Sequence, residues 1–204
     1  MIAALKGTTN LCRVLPVAEF SSSIASRYIL DGEQPLFVLS SVADDYLFSN
    51  LALVHLDGEG PVGKKRAARR FTWKEYIVSN VILNTAGVTD QDVELLFVVR
   101  SRDGTNRRDY SIDVKKAEVS QAIWLYKALV TISEAQMEGE RSKERLYKAL
   151  STTIATGVVS ASGDPVSAFR AFAEDLHAAD RMNALADFSW AFNRYTHFEG
   201  PARQ

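Results

Sequence analysis

Between Pro35 and Val114 short apolar runs alternate with turn-forming residues, and from Val119 onward apolar positions recur every three or four residues. The first half of that pattern predicts strands. Pro35 to Ser41 is an apolar run of strand length, Tyr46 to Phe48 is a second, and Ser49-Asn50 supplies a tight turn before Leu51. Leu51 to Leu56 is apolar on both faces, as in a strand buried from both sides. Asp57-Gly58 then brings turn chemistry, and Gly60, Pro61 and Gly63 oppose further extension. Arg69, Phe71 and Trp73 share one side of a short strand, Tyr76 to Thr85 is rich in β-branched residues, and Val93 to Val99 is almost wholly apolar. Arg102 to Thr105 reads as a hairpin turn, after which Tyr110, Ile112 and Val114 alternate with Asp109, Ser111 and Asp113. About seven strands at such spacing indicate an antiparallel sandwich or barrel.

The helical periods frame this sheet. Phe20, Ile24 and Tyr28 predict a short amphipathic helix from Val17 to Leu30, weakened by Ser21-Ser22-Ser23 and stopped by Asp31-Gly32. Val119, Ala122, Ile123, Tyr126, Leu129, Val130 and Met137 form one face of a helix of about five turns. A helix of that kind, following seven strands, packs naturally over the open end of the sheet. Beyond Gly139 a second stripe runs through Leu146, Tyr147, Leu150 and Ile154. Ser160 to Gly163 reads as a linker, Asp164-Pro165 as a helix start, and aromatic stripes follow over 166–176 and 182–195. The predicted organisation is an N-terminal segment with a short helix (1–30), a strand-rich domain (31–138) and a helical C-terminal extension (139–204).

Composition changes this picture little. The chain has 204 residues, 47% of them hydrophobic and 24% charged, which is ordinary for a soluble globular protein. A formal net charge of −1 argues against general nucleic-acid binding, which needs a positive surplus along one face. The single cysteine, Cys12, allows neither an intrachain disulfide nor a cysteine-built zinc site. That suits a reducing compartment, and the expectation is a cytoplasmic protein without cofactor or metal. Residues 1–18 hold Lys6 and Arg13 without an acid, a composition shared with organellar presequences; a weakly structured N-terminus accounts for it as well.

The order of short motifs in the middle of the chain resembles the bacterial pleckstrin-homology (PH) family. The carrying residues are Leu30-Asp31-Gly32-Glu33, the turn Asp45 to Asn50, Asp57 at the end of a strand, and the loop Gly60 to Lys65 ending in two lysines. The resemblance spans residues 29 to 135. It implies an α+β fold, a seven-stranded antiparallel β-barrel or sandwich capped by a helix, to which 139–204 adds a helical region without counterpart. Leu51-Ala52-Leu53 stands where the family pattern places basic residues. The resemblance also implies a non-catalytic interaction or scaffold module that binds protein, and self-association into rings through strand edges.

Candidate chemistry is sparse. Lys64, Lys65, Arg66, Arg69 and Arg70 crowd one loop and the start of the next strand, and Arg100, Arg102, Arg107 and Arg108 crowd the last hairpin; Lys64, Lys65, Arg66, Arg102 and Arg107 are the candidate ligand-binding residues among them. In the PH fold these loops gather at one mouth, so the resemblance implies a cationic site that could hold a phosphoinositide-type headgroup of an anionic membrane or an acidic partner. The loop Ser40 to Asp45 opposes this with two acids and no base. Asp44 and Asp45, being adjacent in an extended strand, point to opposite faces and form no acid–base couple. His55 lies in an apolar strand and reads as a packed residue, while His177 and His197 lack a second histidine at metal-binding spacing. Phe169, Phe172, Phe188, Trp190 and Phe192 are the candidate interface, because aromatic patches left exposed mark contact surfaces.

Overall fold

The computed structural model describes residues 11–58, 66–85, 92–155, 170, 173–174 and 187–195. Its strands are β1 (Arg13–Val14), β2 (Pro35–Ser40), β3 (Asp45–Ser49), β4 (Ala52–Gly58), β5 (Arg66–Thr72), β6 (Tyr76–Thr85), β7 (Asp92–Ser101) and β8 (Arg107–Lys115). Two helices are described, α1 (Val119–Ala155) and α2 (Ser189–Tyr195). Strands β1 to β5 form one antiparallel sheet in sequence order, and β6 to β8 form a second. The fold is therefore α+β, with two sheets in place of a closed barrel.

Strand alternation divides the core in two. Phe37, Phe48, Leu53, Phe97 and Ile112 are buried between the sheets, with Phe48 6.3 Å from Phe97 across the gap. On the other face of the first sheet, Val38, Leu47, Val54 and Leu56 pack with Leu15, Phe20 and Ala25 of the N-terminal segment. Burial on both faces is why β3 and β4 read as continuous apolar runs.

That N-terminal segment differs from the predicted helix. Two 3-10 helices, Val17–Ser22 and Ile24–Tyr28, are separated by Ser23 in extended conformation. Ser23 Oγ accepts from the Ala25 amide, and Asp45 Oδ2 accepts from Ser23 Oγ and from the Ile24 amide, each at 2.9 Å. Those caps break the helix at the serine run, which leaves Val17 and Tyr28 exposed and buries Phe20 and Ala25.

The N-terminal segment also joins the two sheets. β1 pairs with β2, while the Cys12 amide donates to Asp113 O at 2.7 Å and the Lys115 amide to Cys12 O at 3.1 Å. On the opposite side β5 and β6, linked only by the turn Trp73 to Glu75, do not pair with each other. The described strands thus form a split barrel, sealed at β1/β8 and, among the described residues, open at β5/β6.

Helix α1 is one continuous helix through the predicted break at Gly139, and it fuses two predicted helices. Its buried residues are Ala122, Leu125, Ala128, Leu129, Ile132 and the polar Gln136, so the buried stripe is shifted from the predicted one and Met137 is exposed. The chain divides into two compact units, residues 1–133 with 186–204, and residues 134–185. In the second unit the described helix pairs Arg145 with Glu138 and holds Lys143 Nζ 5.7 Å from the Tyr147 ring, with Met137 and Tyr147 exposed among its charged residues.

Candidate functional site

The interior face of β4 carries Leu53, His55 and Asp57 in succession, so the space between the sheets turns polar toward the end of that strand. Register explains the company these residues keep. Tyr46 lies opposite His55 on β3, Arg69 lies opposite it on β5, and Tyr110 belongs to the inward-facing set of β8. Tyr46 stacks on His55 with ring centroids 4.4 Å apart, and the Tyr110 ring meets His55 edge-on at 5.4 Å.

Asp57 is the centre of the charge arrangement. Its Oδ2 accepts from Arg69 of the first sheet and from Arg108 of the second, the latter at 3.0 Å. Burial acts to raise the Asp57 carboxyl, but hydrogen bonding and charge from Arg69, with His55 and Arg108 behind it, hold it below the ordinary carboxylate range. Burial pushes both phenols, Tyr46 and Tyr110, upward; the Asp44 charge adds to this at Tyr46, while Arg108 and Arg69 work against it at Tyr110. Both phenols are therefore neutral at physiological pH.

His55 is nearly inaccessible. Its Nδ1 stands 3.4 Å from the Tyr110 hydroxyl, and its Nε2 has no hydrogen-bond partner among the described residues. Asp44 Oδ1 lies 3.6 Å from that nitrogen and accepts from the Gly58 amide at 3.2 Å. Gly58 is needed there: a Cβ would come within 2.4 Å of Ala43 O. Asp44, His55 and Asp57 bring one ligand atom each within 4.8 Å of one another, a composition that could hold a divalent ion. The two guanidiniums on Asp57 already neutralise the carboxylates, so the electrostatics do not call for a metal. Nothing in the cluster offers an activated nucleophile or a paired acid and base.

The split between the sheets opens to the surface beside this cluster. A groove of about 250 Å³ is lined by Arg69, Phe71, Tyr76, Val99, Asn106, Arg107 and Arg108. Phe71 and Tyr76 form an edge-to-face aromatic corner at 5.1 Å where β5 gives way to β6.

The residues singled out from sequence are dispersed. Lys64 and Lys65 lie outside the described residues, as do Phe169, Phe172, His177 and His197. Arg66 is exposed and donates to Val42 O at 3.4 Å, which places it beside the loop between β2 and β3. Arg102 donates instead to Lys74 O at 2.6 Å, in the turn between β5 and β6. Arg107 pairs with Asp109 at 2.8 Å on the surface. The arginines that do converge across the sheets are Arg69 and Arg108, which the sequence marked only as members of basic runs. The signal that could have found them is the strand period: Arg108 stands two before Tyr110, and Asp57 two after His55.

The aromatic interface needs correction. Phe188 and Phe192 are fully buried, Phe188 against Trp73 at 6.5 Å and Phe192 against Phe48 at 6.3 Å. They belong to the core of their own unit and are not available to a partner. Trp190, on the other side of α2, is 43% exposed.

Comparison with known proteins follows the same lines. The family model described as bacterial PH domain matches residues 8–133, more than half of the chain. The protein YvbH of Bacillus subtilis (strain 168), itself uncharacterised, is 33% identical over 136 residues. That alignment covers 66% of this chain and 64% of the relative, so the match spans less than two thirds of the relative's length. A PH domain containing protein from Exiguobacterium sibiricum 255-15, known by crystal structure, superposes with a TM-score of 0.78 at 31% identity. This likeness covers 91% of this chain and 98% of that one.

Proposed function

The chain belongs to the bacterial PH domain family, and from that premise we propose that it is a non-catalytic interaction module that binds protein and associates with copies of itself. The observation that carries this reading is the open side of the split barrel. Strands β5 and β6 each have one neighbour among the described residues, so each presents a row of backbone donors and acceptors at its outer edge. Ile82 on β6 and Trp190 on α2 add exposed apolar surface for contact between copies. Light scattering over a range of concentrations tests the reading. The expected result is a mass rising above the 22.6 kDa of one chain. A strict monomer that also binds no partner protein would overturn it.

A second reading, attachment to anionic headgroups, draws on Lys64, Lys65, Arg66, Arg102 and Arg107, of which Arg66 has no carboxylate partner among the described residues. Asp57 weighs against it, because an internal carboxylate already occupies the two convergent guanidiniums. Sedimentation with neutral and anionic vesicles separates the two readings: attachment to anionic vesicles that is lost on Lys64→Glu with Lys65→Glu would favour the headgroup.

A further inference from the structure

Among the described residues no strand covers the outer edge of β5, and its character says what could. The amide of Trp73 donates to Leu51 O, which fixes the hydrogen-bonding phase of the β4–β5 ladder. Counting along the register, Phe71, Arg69 and Ala67 turn their backbone groups toward β4. Arg66, Ala68, Arg70 and Thr72 turn theirs outward, away from the sheet. Strand β5 contains no proline, and its seven-residue pairing with β4 runs without a bulge. The other sheet margins among the described residues differ. β6 carries a register shift between Ser79 and Ile82, with Asn80 at a positive φ of 52°, and such a bulge blunts an edge. β1 is only two residues long, and the segment containing it is joined to β8.

Charge then selects the occupant. Residues 64–70 read Lys-Lys-Arg-Ala-Ala-Arg-Arg, with five bases and no acid. Two copies of this strand laid edge to edge would set base against base. A strand bearing acidic side chains meets the opposite situation. Arg69 and Arg108 share Asp57, Arg70 pairs with Glu33 and Arg107 with Asp109, so with Arg66 five guanidiniums meet three carboxylates. The edge keeps a positive surplus, and acidic side chains would approach it chiefly at Arg66, which has no carboxylate partner among the described residues. The small side chains of Ala67 and Ala68 leave the edge itself clear, and both are exposed.

We propose that the outer edge of β5 is a docking strip for an extended acidic polypeptide segment, which adds as a further strand and begins to close the split between the sheets. The proposal rests on the interaction-module reading and names its partner chemistry. It also removes a symmetric β5-to-β5 contact from the ways two copies can meet, leaving the β6 edge, with Ile82, and Trp190 for that role. Backbone pairing supplies the affinity, and the basic side chains supply the choice of partner.

The test uses the full chain and a fluorescein-labelled peptide of alternating valine and glutamate, capped at both ends. Anisotropy is expected to show saturable binding that weakens with salt, and amide resonances of Arg66, Ala68, Arg70 and Thr72 are expected to shift. Ala68→Pro removes one outward donor without breaking a β4 bond, and should weaken binding by about tenfold or more. Lys64→Glu with Arg66→Glu provides a second variant that keeps the ladder intact and should do the same. A peptide with lysine in place of glutamate should not bind. Three results would overturn the proposal: no binding, binding indifferent to both variants, or anionic vesicles binding where the peptide does not. If the peptide fails while light scattering still shows association, only the β5 assignment falls. If both fail, the interaction-module reading falls with it.

Discussion

Asp57 shows how a single carboxylate can replace hydrogen bonding between strands. β4 and β8 lie in different sheets, yet Asp57 of one holds Arg108 of the other and Arg69 of β5 through the same oxygen. With its side chain 31% exposed, the cluster sits between a surface pair and a buried one, so about 1–2 kcal/mol is a reasonable expectation for its loss. The pH dependence has a definite sign. The folded-state carboxyl lies below its ordinary value of 3.8, so its stabilisation is present above that value and is lost as pH falls through the lower, folded one. Asp57→Asn should therefore be less stable than the parent at neutral pH, with a gap that narrows under acid conditions below about pH 4. Urea unfolding of both proteins at neutral and acid pH measures this; a gap that stays constant would show that the ion pairs contribute nothing.

At the scale of elements, the motifs that made the sequence recognisable prove to be structural ties. Glu33 accepts from Ser49 and pairs with Arg70 at 2.7 Å, Asp45 caps the second 3-10 helix, and Asn50 binds Asp187 through its side chain at 2.9 Å. The Asn50 carbonyl also accepts from the Phe188 amide at 2.9 Å. Helix α2 has only seven residues, too few to be stable in isolation, and depends on those ties and on the burial of Phe188, Ala191 and Phe192. Phe192→Ala should cost about 3–5 kcal/mol in unfolding free energy, while Trp190→Ala should stay within about 0.5 kcal/mol. Equal, small effects would mean that α2 is not part of the core. The strands were legible because alternation is a local signal, and Tyr110 to Val114 carries it clearly. The composition shift beyond Gly139 divides α1 in the sequence pattern, yet the helix runs through, since a single glycine costs only about 1 kcal/mol in a helix. The cluster at Asp57 was not legible, because it depends on β4 and β8 lying opposite each other across the split, and no short-range pattern encodes that.

Taken as a whole, the unit formed by residues 1–133 and 186–204 is held as a split barrel by two kinds of closure. Ion pairs cross at Asp57, and backbone hydrogen bonds cross at Cys12, which bonds to β8 on both sides of its own peptide unit. Cys12 is the only cysteine in the chain and is 1% exposed, so its thiol reports directly on the second closure. Burial, reinforced by the Asp44 charge, pushes that thiol up to about 12, and it stays protonated at any pH used for labelling. If the N-terminal segment is integral to the unit, the thiol can react only when the two sheets part. Labelling with a disulfide-exchange reagent should then be slow in native buffer. It should accelerate with urea in step with the fluorescence of Trp73, which is fully buried, read in a background of Trp124→Phe and Trp190→Phe. Rapid labelling with unchanged Trp73 fluorescence would show the segment peeling away alone, and would make the β1/β8 seam a second free margin rather than a permanent seal.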